Sequence, residues 1–310
     1  MESVSVSNDQ AYLQFETTAG FTYQPQRTAD VETRCWWDAG DRLLATSSRT
    51  SVPLPAANGL GFFRVLEFTN AVFWHDWAYD YQQPRLADWG LGQAEEAYSH
   101  VDRDYDWFID QADTGPASGN NCGPSSVTMA IHWHDRAFTG TAEEARDWSS
   151  SWRGTGWWYT TDIINYLNLH AVPNVTSAFT GSTQLERLLQ EGRLVILCMS
   201  TAYITRNLVA EQRIGRFYSY DSGHFLVVKG ARRVSGRLLF EVYDPNTWRA
   251  RYADGTPKGR NRHFLAAELA QSIERWWNYL IVVSRPAGPL AASRWLQPVD
   301  PATIPAMWGN

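Results

Sequence analysis

Four residues have types and an order suited to covalent chemistry on a carbonyl: Gln111, Cys122, His224 and Asp244. Cys122 stands in Asn121-Cys122-Gly123-Pro124, where a helical pattern opens. At a helix start, orphan N–H groups and the positive end of the dipole stabilise a thiolate. Pro124 suits the first turn, where its missing N–H costs nothing. Gly123 lets a substrate approach the backbone closely. His224 stands at the mouth of the apolar run Phe225-Leu226-Val227-Val228, placed as a general base facing the helix start. Asp244, in Tyr243-Asp244-Pro245-Asn246, follows a second apolar run. Its carboxylate is suited to fixing the imidazole's orientation and tautomer, as the third member of a triad does. Gln111 precedes the cysteine by 11 residues. An amide donor there, with the Cys122 N–H, suits the oxyanion of a tetrahedral intermediate. Taken singly, each has a plain structural explanation. A cysteine packs as a small apolar group, a strand histidine is a satisfied core residue, and Asp-Pro is a turn. Gln111 alone carries no signal. The ordered set is the specific signal.

The elements that must position these residues can be read from periodicity. Val127, Ala130, Ile131 and His134 fall at i, i+3, i+4 and i+7 behind Cys122. Thr141 with Glu144, and Thr183 with Glu186, have capping-box spacing ahead of helices. The second of these carries Leu185, Leu188 and Leu189 and stops at Gly192; a further helix is expected over Asp162–Leu169. Strands are expected at Leu194–Met199, His224–Lys229, Leu238–Tyr243 and Tyr279–Val283. Helices first and sheet afterwards is an α+β order.

Upstream, residues 1–70 read as an all-β accessory domain. Ala11–Phe15, Phe21–Pro25, Glu32–Trp37, Arg42–Ala45, Ser51–Leu54 and Phe62–Phe68 recur roughly every ten residues between turn signals, the spacing of a small β-sandwich. Residues 71–104 read as an aromatic-rich linker, with a short helix over Gly92–His100. Residues 105–285 hold the candidate chemistry, and 286–310 read as an irregular, Pro-rich tail.

Composition bounds the function. The chain has 310 residues, 44% hydrophobic and 19% charged, which excludes wholesale disorder and fibrous repeats. Its 27 basic and 33 acidic residues leave a net charge of −6, the wrong sign for a nucleic-acid binder. The longest apolar run, Leu194–Met199, is strand-sized, so no membrane span is expected. Three cysteines (Cys35, Cys122, Cys198) are not a disulfide framework, although a Cys35–Cys198 bridge stays open.

The set Gln111, Asn121-Cys122-Gly123-Pro124-Ser125-Ser126, Gly223-His224-Phe225-Leu226-Val227-Val228 and Val242-Tyr243-Asp244-Pro245 resembles the papain-like cysteine peptidases of the double-glycine-leader (bacteriocin-processing) type, and within them the soluble, stand-alone relatives. The resemblance spans about 105–285. It implies a papain-like domain of N-terminal helices and a C-terminal antiparallel sheet. It also implies a Cys122–His224–Asp244 triad with Gln111 in the oxyanion hole, and a peptide or protein substrate. The transporter-fused members' membrane and ATPase domains have no counterpart here. The Ala112–Asn121 and Thr201–Asp221 segments are long, so cleavage specificity does not carry over. Residues 1–70 resemble, more weakly, a β-sandwich repeat of exported bacterial proteins, which implies a surface or protein partner and an exported (periplasmic or extracellular) protein with the signal absent from this sequence, while a cytoplasmic location stays open. The opening residues show neither a basic nor an apolar signal region.

Gly123, Trp157, Trp158 and Gly223 are the expected substrate-binding residues; the Trp157-Trp158-Tyr159 cluster has two readings, a wall near the cleft or, more often for such clusters, core or inter-domain packing. Trp276-Trp277 reads as packing. No metal is expected. His132 and His134 do not share a helix face, and the Asp102, Asp104, Asp106 run lacks the Gly and closing Glu of a calcium loop, reading instead as solvated charge. No organic cofactor is expected either. Two other functions stay open: a peptide-binding module that has lost turnover, and a thiol amidase or transpeptidase acting on cell-wall peptides.

Overall fold

Leu13 and Phe15 are buried while Glu16 is exposed, the period-2 pattern of a half-buried strand. The computed structural model describes residues 3–7, 10–28, 37–38, 43–53, 62–68, 86–103, 106–253, 255–284 and 293–304. The chain divides into two compact units, Met1–Arg85 with Arg103–Asp106, and Leu86–Asp102 with Trp107–Asn310.

The first unit holds β1 (Ser3–Ser7), β2 (Gln10–Glu16), β3 (Thr22–Thr28), β4 (Trp37–Asp38), β5 (Leu43–Leu44), β6 (Arg49–Pro53) and β7 (Phe62–Phe68). One sheet has the order β1-β2-β6; in the other, β3 pairs with β4, β5 and β7. All pairs are antiparallel. Leu13, Phe15 and Val52 from the first sheet share a buried cluster with Tyr23 of the second and with Ala45. β1 carried no sequence expectation. Most of Glu32–Trp37 lies outside the described residues, as does Cys35 and therefore the Cys35–Cys198 pairing.

In the second unit come β8 (Glu95–His100), two 3-10 turns (Gln111–Asp113 and Ser118–Asn120), α1 (Cys122–His134), α2 (Ala142–Trp148), α3 (Ser150–Arg153), α4 (Thr160–Leu169), β9 (Asn174–Ala178), α5 (Ser182–Gln190), β10 (Leu194–Ser200), β11 (Gly223–Val234), β12 (Arg237–Tyr243), β13 (Arg262–Leu265), α6 (Ala266–Glu274) and β14 (Tyr279–Val283). The architecture is mixed α/β around an antiparallel sheet of order β13-β12-β11-β10-β14-β9, with β8 also pairing β11. β10 is buried along its whole length, which explains its unbroken apolar run. Its Val195, Leu197 and Met199 share a core with Leu185, Leu188 and Leu189 of α5 and Leu269 and Ile273 of α6. Nearly every residue of α1 is buried, so this helix has no solvent stripe.

Local signals account for the helix ends. The Thr141–Glu144 capping box opens α2. Gly192, at φ +76°, closes α5 with Gly192 N–H on Leu189 O and Arg193 N–H on Leu188 O, a Schellman pattern.

Several expectations are corrected. Gly92–His100 is not a helix: Glu95–His100 pairs with Gly230–Val234 of β11, and this pairing outweighs local helix propensity. Thr183 does not cap α5, which begins one residue earlier with no side-chain cap; Glu186 instead forms a two-pronged pair with Arg233 at 2.9 and 2.8 Å. Asp102 is not solvated charge but the partner of buried Lys229 at 2.6 Å. Within the C-terminal segment, Gln297 O accepts the Ala178 N–H and Val299 N–H donates to Thr176 O, so 297–299 lies along β9. Residues 71–85 and 104 of the 71–104 stretch lie outside the described residues. Among the described residues no helix is long and apolar enough to cross a membrane.

Candidate active site

Sheet register brings the imidazole and the carboxylate together. β11 and β12 are antiparallel neighbours with Val227 opposite Tyr243, so the residue after Tyr243 lies near the start of β11. His224 Nε2 lies 2.8 Å from Asp244 Oδ1. That leaves Nδ1 for Cys122, whose thiol is hydrogen-bonded to His224. The Phe225 and Gly123 N–H groups also bond the sulfur. Cys122 is the first residue of α1, the end at which the helix dipole favours an anion.

All four expected residues are buried: Gln111 is 3% exposed, Cys122 and His224 4%, and Asp244 not at all. Burial pushes the Cys122 thiol up, but the imidazole and the two N–H groups outweigh it and hold the thiol below its ordinary value. Burial likewise disfavours the imidazolium, yet Asp244 and the Cys122 sulfur raise His224 to about 10. Both shifts favour a thiolate beside an imidazolium. Asp244 is held by two further donors: its Oδ1 accepts the Asn246 N–H at 2.9 Å and its Oδ2 the Tyr218 hydroxyl at 3.1 Å.

Gln111 is placed less simply. Its backbone N–H donates to Pro245 O at 2.9 Å, linking it to the turn that carries Asp244. Its Nε2 donates to Ser118 O at 3.2 Å, while Oε1 has no hydrogen-bond partner among the described residues. An amide nitrogen carries two hydrogens, so one remains for an oxyanion.

The expected substrate-binding residues divide. Trp158 is corrected. It is 1% exposed, donates its indole N–H to Ser149 Oγ at 2.8 Å, and packs between Trp148 and Tyr166, so it cannot form a cleft wall. A Cβ on Gly123 would lie 2.8 Å from Trp158 Cβ, so this glycine makes room for the tryptophan; it too is buried. Trp157 is 42% exposed and lines a pocket of about 290 Å³ with Trp152, Arg153, Gly156 and Tyr159. A Cβ on Gly223 would lie 2.4 Å from the Trp276 indole, so this ring rests on the backbone next to His224.

Sequence reasoning missed four neighbours: Tyr218, Trp276, Asp110 and Arg146. Asp110 accepts the N–H groups of Trp248 at 3.1 Å and Arg249 at 2.7 Å, both left-handed residues (φ 50° and 60°), and that of Ala112 at 3.0 Å. It thereby fastens the Asp244 turn to the segment bearing Gln111. The aromatic density of Phe217-Tyr218-Ser219-Tyr220 just before Gly223-His224 was the one available sequence signal. Among the described residues no group of three or more His, Cys, Asp or Glu is arranged to hold a metal ion. His132 instead contacts Gly140 O at 3.0 Å and His134 contacts Ser284 O at 3.2 Å.

No family model matches the chain, and no curated protein matches it. Among solved structures, one described as a candidate C39-like peptidase from Bacillus anthracis is similar at 10% identity, with a TM-score of 0.41, over 62% of this chain and all of that one. A likeness of that size carries no functional argument.

Proposed function

We propose that the protein is a cysteine peptidase. The observation that carries this reading is the buried series of Cys122, His224 and Asp244, with Nε2–Oδ1 at 2.8 Å and the thiol bonded to the same ring. On this reading Cys122 attacks a peptide carbonyl as the thiolate. The Cys122 N–H and the Gln111 amide stabilise the oxyanion. His224 passes its proton to the leaving amine, and the carbon–nitrogen bond breaks to leave a thioester. The neutral imidazole then takes a proton from water, whose oxygen displaces the thiolate and releases the acid. Asp244 holds the ring in place throughout. We assign residues 105–285 to a papain-like catalytic domain of the bacteriocin-processing kind. Residues 1–70 we read as an accessory β-sandwich, an assignment supported by two sheets sharing one core.

The first test is iodoacetamide labelling of Cys122 against pH, read by peptide mass spectrometry. Labelling is expected to persist to about pH 5–6 and to be lost in His224→Ala. Cys122→Ala is expected to fold normally and cleave no peptide. A thiol that reacts only near its ordinary value of about 8.5 would sink the reading. The near-complete burial of Cys122 favours one alternative, a peptide-binding module without turnover. Peptide capture without cleavage in the wild type would select it.

A further inference from the structure

Arg146 of α2 is 5% exposed and carries a full charge, yet among the described residues no carboxylate pairs with it. Its donors go to neutral acceptors: Nε to Asn121 Oδ1 at 2.7 Å, Nη2 to Asn120 O at 2.8 Å and Nη1 to Gly156 O at 2.8 Å. The carboxylate whose charge acts on it, Asp162 of α4, is already engaged by Arg153 at 2.8 Å. Buried cations are ordinarily paired with an anion, because leaving water without compensation is costly. Two of the three bonds fall on the turn that opens α1, and the third on Gly156 in the loop ahead of α4. Asn121 immediately precedes Cys122, and its own Nδ2 is held by Thr114 O and Oγ1, both at 2.9 Å.

The charges of the site make the consequence clear. With Cys122 as thiolate, His224 as imidazolium and Asp244 as carboxylate, the buried group carries one excess negative charge, which a guanidinium balances. We propose that Arg146 is a positioning residue of the reaction: it clamps the entry to α1 and supplies the buried positive charge that balances the Cys122 thiolate. This rests on the cysteine-hydrolase reading. The charged and titratable groups around the sulfur are His224 with Asp244 behind it, Tyr220 from the 201–221 segment, and Arg146. Burial pulls the Arg146 guanidinium down, and the Cys122 sulfur and Asp162 partly restore it.

The test compares Arg146→Lys, which keeps charge but not the three-way clamp, with Arg146→Gln, which keeps hydrogen bonds but not charge. The readout is the pH profile of iodoacetamide labelling at Cys122, with near-UV circular dichroism as the fold check. Arg146→Gln is expected to move the profile upward by about one pH unit and Arg146→Lys to leave it near that of the wild type. In Arg146→Ala, added methylguanidinium is expected to restore labelling at low pH while urea does not. Equal profiles for Lys and Gln, no shift in either, or unfolding of both would make Arg146 structural alone and overturn the proposal. If the wild-type thiol itself titrates near 8.5, the hydrolase reading fails instead, so the two failures are distinct.

Discussion

At the scale of single residues, the site depends on which side chains are excluded as much as on which are present. Gly223 has no side chain because the Trp276 indole occupies that space, with ring atoms 2.4 and 2.8 Å from where a Cβ would sit. Gly223→Ala is therefore expected to displace Trp276, or to move the first residue of β11 and His224 with it. Overpacking of this kind costs about 1–3 kcal/mol. Denaturant unfolding would measure the loss, and Gly223→Ala with Trp276→Leu should regain part of it. Full stability in the single variant would mean that the indole is not seated on this glycine.

At the scale of elements, two segments far apart in sequence are joined by one carboxylate. Asp110 precedes Gln111 and satisfies the N–H groups of Trp248 and Arg249, which adopt left-handed conformations unfavourable to L-residues. Asp110→Ala should leave this turn strained and unbonded, destabilising the fold by about 1–2 kcal/mol. Adding Arg249→Gly should restore about 0.5–1 kcal/mol, because glycine accepts positive φ without help. Chemical denaturation of both variants tests this. An unaltered midpoint in Asp110→Ala would show that the turn holds itself. The Thr201–Asp221 segment is fastened in a related way. The Arg262 guanidinium reaches Gly215 O, Gln212 O and Ile214 O at 2.6, 2.5 and 2.8 Å, and the same segment delivers Tyr218 to Asp244.

At the scale of the folded unit, a second buried polar cluster is built apart from Cys122. Lys229 pairs with Asp102 and Glu241, and Arg232 with Glu95. His263 is fully buried beside them, and neither ring nitrogen has a hydrogen-bond partner among the described residues. Burial, with Arg232 and Lys229 close by, pushes its imidazole down to about 3 against the opposing pull of Glu241. Between about 6.5 and 3 the unfolded chain binds a proton there that the native state refuses, so stability falls as pH drops through that window. His263→Phe keeps an aromatic ring against Trp89 and removes the titration. Going from pH 7 to pH 5, the variant should lose about 2 kcal/mol less than the wild type. Melting curves at the two pH values measure it, and parallel losses would contradict a neutral buried His263.

Much of the site was legible without a fold, because its chemistry demands particular residue types in particular local settings. Cys122 ahead of Gly123-Pro124, His224 opening an apolar run and Asp244 in an Asp-Pro turn are short-range patterns, and β-periodicity or helix capping locates their elements. The tertiary structure decided what depends on depth and long-range contact. Trp158 reads in sequence as either a cleft wall or packing, and burial decides for packing in the space that Gly123 leaves. Glu95–His100 reads as a helix, but β11 offers it a partner. Arg146 gives no local sign of its role and Tyr218 only the aromatic density around it, since each acts on a residue more than 20 positions away. Local pattern follows from covalent neighbours and dihedral preference, whereas burial, counter-charge and strand pairing arise only when distant parts of the chain meet.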